Sequence, residues 1–283
     1  MEIPMTRIWK QNRFVRFGYE LVDRFIKDDV SGMSAQLAYY FLLSIFPFFI
    51  FAFTLIGYMP ISTENALAII QVIAPEKVTE LLQQNLHSFL NTRRGWLLFL
   101  SLAGTLWTSS SAIHAIIVAL NRAYNVADER SYFMSRLLAI LFTIGMVMAI
   151  FVTLLLPVFG KTIEVFFTSR MHVPDYVLLI WNLLRWVVSL MFLISLFAFL
   201  YYFAPSCDVN WKVTIVGALF AGLGWLAVSY GFSYYVNNFG NYSLTYGSLG
   251  GVIILMIWFY LSAMILIMGG QINALIEKYT GKS

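Results

Sequence analysis

Six stretches of this chain are each long and apolar enough to cross a lipid bilayer, and none contains an aspartate or a glutamate. They are Ala35–Met59, Trp96–Leu120, Leu137–Phe159, Tyr176–Phe203, Lys212–Val236 and Ser248–Ile276. A helix of about 20 apolar residues covers a hydrocarbon core ~30 Å thick. Backbone groups in that core meet no water, so each segment must satisfy them within itself, as a helix does. Composition points the same way. The chain is 60% hydrophobic and 11% charged, whereas soluble domains carry roughly 25% charge to meet water over their surface. The expectation is an all-α fold, a polytopic transmembrane helix bundle of about six spans with amphipathic interfacial helices. No segment is both long and polar enough to form a separate soluble domain.

Basic residues set the expected orientation. Arg7, Lys10, Arg13, Arg16, Arg24 and Lys27 precede the first span, and Arg122, Arg130 and Arg136 follow the second. Lys212 opens the fifth, and Lys278 and Lys282 follow the sixth. The opposite side carries fewer: Lys77, Arg93, Arg94, Lys161 and Arg170. The positive-inside rule then predicts that both termini are cytoplasmic, with Arg93 and Arg94 against the trend. Residues 1–34 read as a cytoplasmic interfacial helix, because Phe14, Phe17, Leu21 and Phe25 recur at helical spacing between charges. Residues 35–277 form the transmembrane domain, with an external amphipathic segment at 60–95, and 278–283 is a cytoplasmic tail. Within the external segment, Pro75–Asn91 carries one stripe of Val78, Leu81, Leu82, Leu86 and Phe89. A surface cap is its plainer reading. Cys207 is the single cysteine, which excludes an intrachain disulfide. The first apolar run follows a charged stretch and is too long for a signal-peptide core.

Polar groups inside the spans are the candidate functional residues, since lipid cannot satisfy them. Ser110, His114 and Asn121 fall within about 40° of one another on a helix. They either handle substrate or protons, or hydrogen-bond neighbouring helices; histidine adds a side chain able to change charge near neutral pH. Arg185 lies about a third of the way into the fourth span, where a guanidinium costs at least ~2.5–3.5 kcal/mol unless it snorkels or finds a partner. Trp181 and Trp186 beside it fit an interfacial belt; an anionic ligand is the other reading. Gly217, Ala221, Gly224 and Gly231 line one face of the fifth span. Gly251, Ser262, Gly269 and Asn273 do so on the sixth, and tight packing explains both stripes by default. Pro47 and Pro157 predict kinks.

Several chemistries find no support. Gly160-Lys161-Thr162 and Gly281-Lys282-Ser283 lack the earlier glycine of a phosphate loop, with Leu155 and Ile276 in its place. His87, His114 and His172 lie far apart, without Cys or carboxylate neighbours at ligand spacing. Ser110 and His114 have no carboxylate in any span to complete a triad. Cofactors and metals are therefore not expected. The basic residues do not gather into a stripe, so neither is nucleic-acid binding.

Several segments together resemble the YihY/BrkB family of bacterial inner-membrane proteins. They are Ser34-Ala35-Gln36-Leu37-Ala38-Tyr39-Tyr40 through Pro47, Ala119-Leu120-Asn121-Arg122-Ala123-Tyr124, Tyr242-Ser243-Leu244-Thr245-Tyr246-Gly247-Ser248-Leu249-Gly250 and Gly270-Gln271-Ile272-Asn273-Ala274. The resemblance implies a multi-pass bacterial plasma-membrane protein, of a family often labelled with virulence or serum resistance and suggested to transport lipid-like material. A label of tRNA-processing ribonuclease also travels with the family; the clustered His and Asp ligands of a metal-dependent nuclease are missing from this sequence. The expected function is transport of an anionic envelope-related amphiphile or solute without enzymatic conversion. Gln36, His114, Asn121, Arg185 and Asn273 are the expected substrate-binding residues. The lipid bilayer is the expected partner, and a homo-oligomer is left open. The alternative is a non-transporting scaffold that binds envelope-assembly partners.

Overall fold

The computed structural model describes residues 13–58, 95–128, 130–131, 133–145, 175–239 and 249–281. Every regular element among them is helical, with no strand. In chain order they are α1 (Arg13–Lys27), α2 (Val30–Tyr58), α3 (Gly95–Tyr124), α4 (Phe133–Gly145), α5 (Asp175–Phe203), α6 (Trp211–Phe239) and α7 (Gly250–Thr280). Among the described residues five helices, α2, α3, α5, α6 and α7, are long and apolar enough to cross a membrane. α4 is a shorter apolar helix covering the start of the expected third span. The rest of that span, Pro157, and the amphipathic stretch Pro75–Asn91 lie outside the described residues.

Helix ends follow local chemistry. The expected interfacial segment is broken at Asp28-Asp29. Asp29 takes a left-handed conformation (φ 52°) and caps α2, whose Gly32 N–H donates to its carboxylate at 3.2 Å. α2 thus starts at Val30, ahead of the apolar run at Ala35. α3 ends in a Schellman motif. Asn125, at φ 57°, sends its N–H to Arg122 O, and Val126 N–H reaches Asn121 O, both at 3.0 Å.

The chain divides into two compact units, residues 40–111 and the remainder. In the first, hydroxyls are satisfied by their own helix. Ser101, Thr105 and Ser110 donate to Leu97, Ser101 and Trp107 carbonyls at 2.7, 2.7 and 2.9 Å. This is how a hydroxyl is tolerated where lipid offers no partner. Pro47 lies within the continuous helix α2 and touches Gly104 of α3, where an added Cβ would be 3.5 Å from the proline Cβ.

In the second unit α6 and α7 approach closely through small residues. A Cβ on Gly217 would meet Gly269 O, and one on Gly224 would meet Ile265 Cγ2 at 3.0 Å. Ala221 is fully buried. The glycine stripe expected to pack does so at these positions, whereas Gly231 and Gly251 meet no neighbour among the described residues. α5 joins through Tyr201, fully buried, whose hydroxyl donates to Leu266 O at 2.6 Å. The outer face of α5 leaves Leu179, Leu183, Trp186 and Met191 more than half exposed. An apolar surface of this kind is covered by lipid in a membrane protein.

α1 packs against the end of α7. Phe17 and Tyr279 rings lie 6.3 Å apart, so part of the Phe14–Phe25 stripe faces protein. Glu20 accepts from Tyr279 Oη at 2.8 Å, Arg16 Nε at 3.0 Å and Lys278 Nζ at 3.2 Å. Burial alone would raise the Glu20 carboxyl; these three bonds outweigh it and hold the group at about 2. A carboxyl lowered on folding adds stability that is complete above the ordinary value of 4.5 and lost as pH falls toward 2. The wild type should therefore melt above Glu20→Gln in detergent at pH 6, and the gap should close through that acidic window.

Candidate functional site

Polar side chains of the second unit converge where α3, α5 and α7 end and α2 and α6 begin. Asn121, in the last turn of α3, grips the α5–α6 connection. Ser206 N–H donates to Asn121 Oδ1 at 2.7 Å, and Asn121 Nδ2 donates to Ser206 Oγ at 3.0 Å. Ser206 Oγ donates in turn to Asp128 Oδ1, and Ser135 Oγ to Asp128 Oδ2, both at 3.1 Å. Burial pushes the Asp128 carboxyl up, but the Arg130 N–H, the two hydroxyls and the Arg130 charge bring it below the usual range. The Arg130 guanidinium closes the knot on Ala204 O at 3.2 Å and Pro205 O at 3.0 Å.

α7 holds the other side through its Gln271–Glu277 turn pair. Gln271, fully buried, donates Nε2 to Asp28 Oδ2 at 2.8 Å, clasping the α1–α2 joint. Asn273, also fully buried, accepts from Gly217 N–H at 2.7 Å. Glu277 is 5% exposed and accepts from Asn210 N–H at 3.0 Å through Oε1. Arg24 Nη1 reaches Ala123 O at 3.0 Å. Burial, with the Glu277 and Asp208 charges, pushes the Cys207 thiol up against the opposing pull of Arg130. A thiol raised in this way is a poor nucleophile. Among the described residues no three His, Cys, Asp or Glu side chains gather as a metal set would.

The five expected binding residues therefore part company. Asn121 and Asn273 are buried and committed to protein partners, in two separate places. Gln36 lies on an exposed face of α2. His114 is half-buried in α3, and its Nδ1 is buried without a hydrogen-bond partner among the described residues. Arg185 sits on α5, and its side chain lies outside the described residues. Sequence reasoning stopped the sixth span at Ile276, one residue short of Glu277, and so missed a buried carboxylate on the same helix. Hydropathy ends a span at the first charge and cannot see that a backbone N–H waits for it. Asp28 and Arg130 escaped for the same reason. Their signal was position, at or just beyond the edges of apolar runs.

The family model described as Virulence factor BrkB matches residues 21–283. The chain belongs to the BrkB virulence factor family. One relative, the ribonuclease-like protein YfkH of Bacillus subtilis (strain 168), is 45% identical over 259 residues, 92% of this chain and 94% of that protein. The UPF0761 membrane protein PSHAa0171 of Pseudoalteromonas translucida (strain TAC 125) is 23% identical, over 91% of this chain and 85% of its own. The UPF0761 membrane protein Nmul_A0452 of Nitrosospira multiformis is 24% identical over 98% of this chain and 64% of its own. No solved structure matches. This BrkB-family chain is a multi-pass integral membrane protein.

Proposed function

We propose that this chain is a permease of the bacterial plasma membrane that moves an anionic envelope-related amphiphile or solute without converting it chemically. His114 carries the reading. Asn121 and Asn273 bond to neighbours, whereas His114 Nδ1 in α3, like Tyr124 Oη and Ser262 Oγ, is buried with no partner among the described residues, and of these His114 alone is an imidazole able to accept or donate a proton. An unsatisfied buried polar group costs about 1–3 kcal/mol. A passing ligand that supplies the missing hydrogen bond recovers it. Arg185, on α5, is the proposed contact for the anionic group, and both termini are proposed to be cytoplasmic. The ribonuclease-like name belongs to the Bacillus relative and is not carried over.

Purified protein in liposomes should transport labelled anionic lipids or solutes above empty vesicles. Loss of one hydrogen bond of about 1–1.5 kcal/mol should make His114→Ala roughly 5–10-fold slower. Arg185→Ala should also slow it. Flux equal to that of empty vesicles across the panel, or an unimpaired His114→Ala, would remove the basis for transport.

A second reading, a scaffold for envelope assembly, is favoured by one observation. Asn121 and Asn273, both expected to line a cavity, are consumed in holding helices together. Crosslinking in native membranes distinguishes the two: a stable stoichiometric partner together with absent flux supports the scaffold.

A further inference from the structure

α1 has three faces, and among the described residues only two of them have partners. Phe17 and Arg24 turn to the protein, on Tyr279 and Ala123 O. Arg16, Asp23 and Lys27 form a charged edge paired within the helix and with Glu20, as Arg16–Glu20 at 3.0 Å and Lys27–Asp23 at 2.8 Å. The third line is apolar and open: Tyr19, Val22 and Ile26 are 51%, 59% and 72% exposed. Their spacing of three and four residues sets them within about 60° on one side. The helix cannot roll to bury this line, because Glu20, Arg24 and the Asp28–Gln271 clasp fix its rotation.

We infer that this line of α1 is a membrane-surface docking edge that seats among the anionic headgroups of the leaflet at the knot end of the second unit. Protein on one side, water on the second and acyl chains below the third is the arrangement of a helix lying in the interface. Two further observations at the same end select lipid as the occupant. Tyr202 and Trp211, at the α5–α6 connection, are exposed and stacked edge to face at 5.3 Å. Such amphipathic rings collect at headgroup level. Arg122 and Lys212 are exposed there and make no ion pair among the described residues, which leaves two cations for lipid phosphates. The inference does not depend on transport: a scaffold would use the same edge.

The test uses the full chain with Cys207→Ser, carrying an environment-sensitive fluorophore at Val22→Cys or at Lys27→Cys. It is reconstituted in phosphatidylcholine vesicles with and without phosphatidylglycerol. Brominated acyl chains should quench the label at position 22 at least ~2-fold more than at 27, with aqueous iodide showing the reverse order. Phosphatidylglycerol should increase the lipid quenching at 22, and Arg122→Gln with Lys212→Gln should abolish that increase. Ile26→Asp should reduce lipid quenching at 22 while leaving the melting temperature in detergent unchanged, which separates lost docking from lost folding. Equal iodide access at the two positions would overturn the proposal. Disulfide-linked dimers through Val22→Cys, with a label shielded from both quenchers, would overturn it too and give the edge to a second copy of the chain.

Discussion

Gly269→Val should unfold at markedly lower temperature than the wild type, with a loss of about 3 kcal/mol or more in detergent. A Cβ at this position meets the Tyr201 hydroxyl, and Gly217 O lies 2.8 Å away. Overpacking typically costs about 1–3 kcal/mol when side chains can shift. Here one obstacle is the backbone of α6, which cannot move without opening its own helix. The other is the phenol that donates to Leu266 O, a bond worth about 1 kcal/mol that the valine would displace. Thermal unfolding followed by size-exclusion chromatography measures the difference. Gly231→Val supplies the comparison, because none of the described residues lies within 4 Å of its Cβ position. It should change stability by no more than ~0.5 kcal/mol. Equal losses at the two positions would mean that helix propensity, rather than the α6–α7 approach, governs both.

Asn121→Leu should produce the second large effect, a loss of about 2–3 kcal/mol, because it strands the Ser206 N–H and removes the bond from Asn121 Nδ2. A double-mutant cycle with Ser206→Ala separates the two contributions. Removing the hydroxyl from a chain that already lacks Asn121 should cost less than removing it from the wild type. The same cycle tests the residue's assignment. A transport role for Asn121 would lower flux while leaving melting unchanged; the knot geometry predicts that melting falls.

These two positions show what the sequence makes legible. Periodicity put Gly217, Gly224 and Gly269 on packing faces, and each meets a neighbouring helix as expected. It put Gly231 and Gly251 on the same stripes, and they meet nothing among the described residues, because a stripe defines a direction but not how far the partner helix follows it. Periodicity likewise grouped Ser110, His114 and Asn121. Ser110 turned out to bond to Trp107 O in its own helix, and Asn121 to a connection 85 residues away. Both outcomes depend on partners that a single helical face cannot specify. The spans themselves were legible because hydrocarbon imposes one rule on every residue of a segment. The knot was not, because Asp28, Asp128, Arg130 and Glu277 are charges whose burial depends on groups from other parts of the chain.

α7 follows all of its partners in the chain. It carries Gln271 for Asp28, Asn273 for Gly217, Glu277 for Asn210, and Tyr279 with Lys278 for Glu20. During synthesis the earlier helices can enter the bilayer one by one, but Asp28, Asn210 and Gly217 stay without these partners until the last helix emerges. Assembly of this half of the molecule is therefore a late event, and a ribosome stalled before Gly269 would leave inserted helices without the element that locks them.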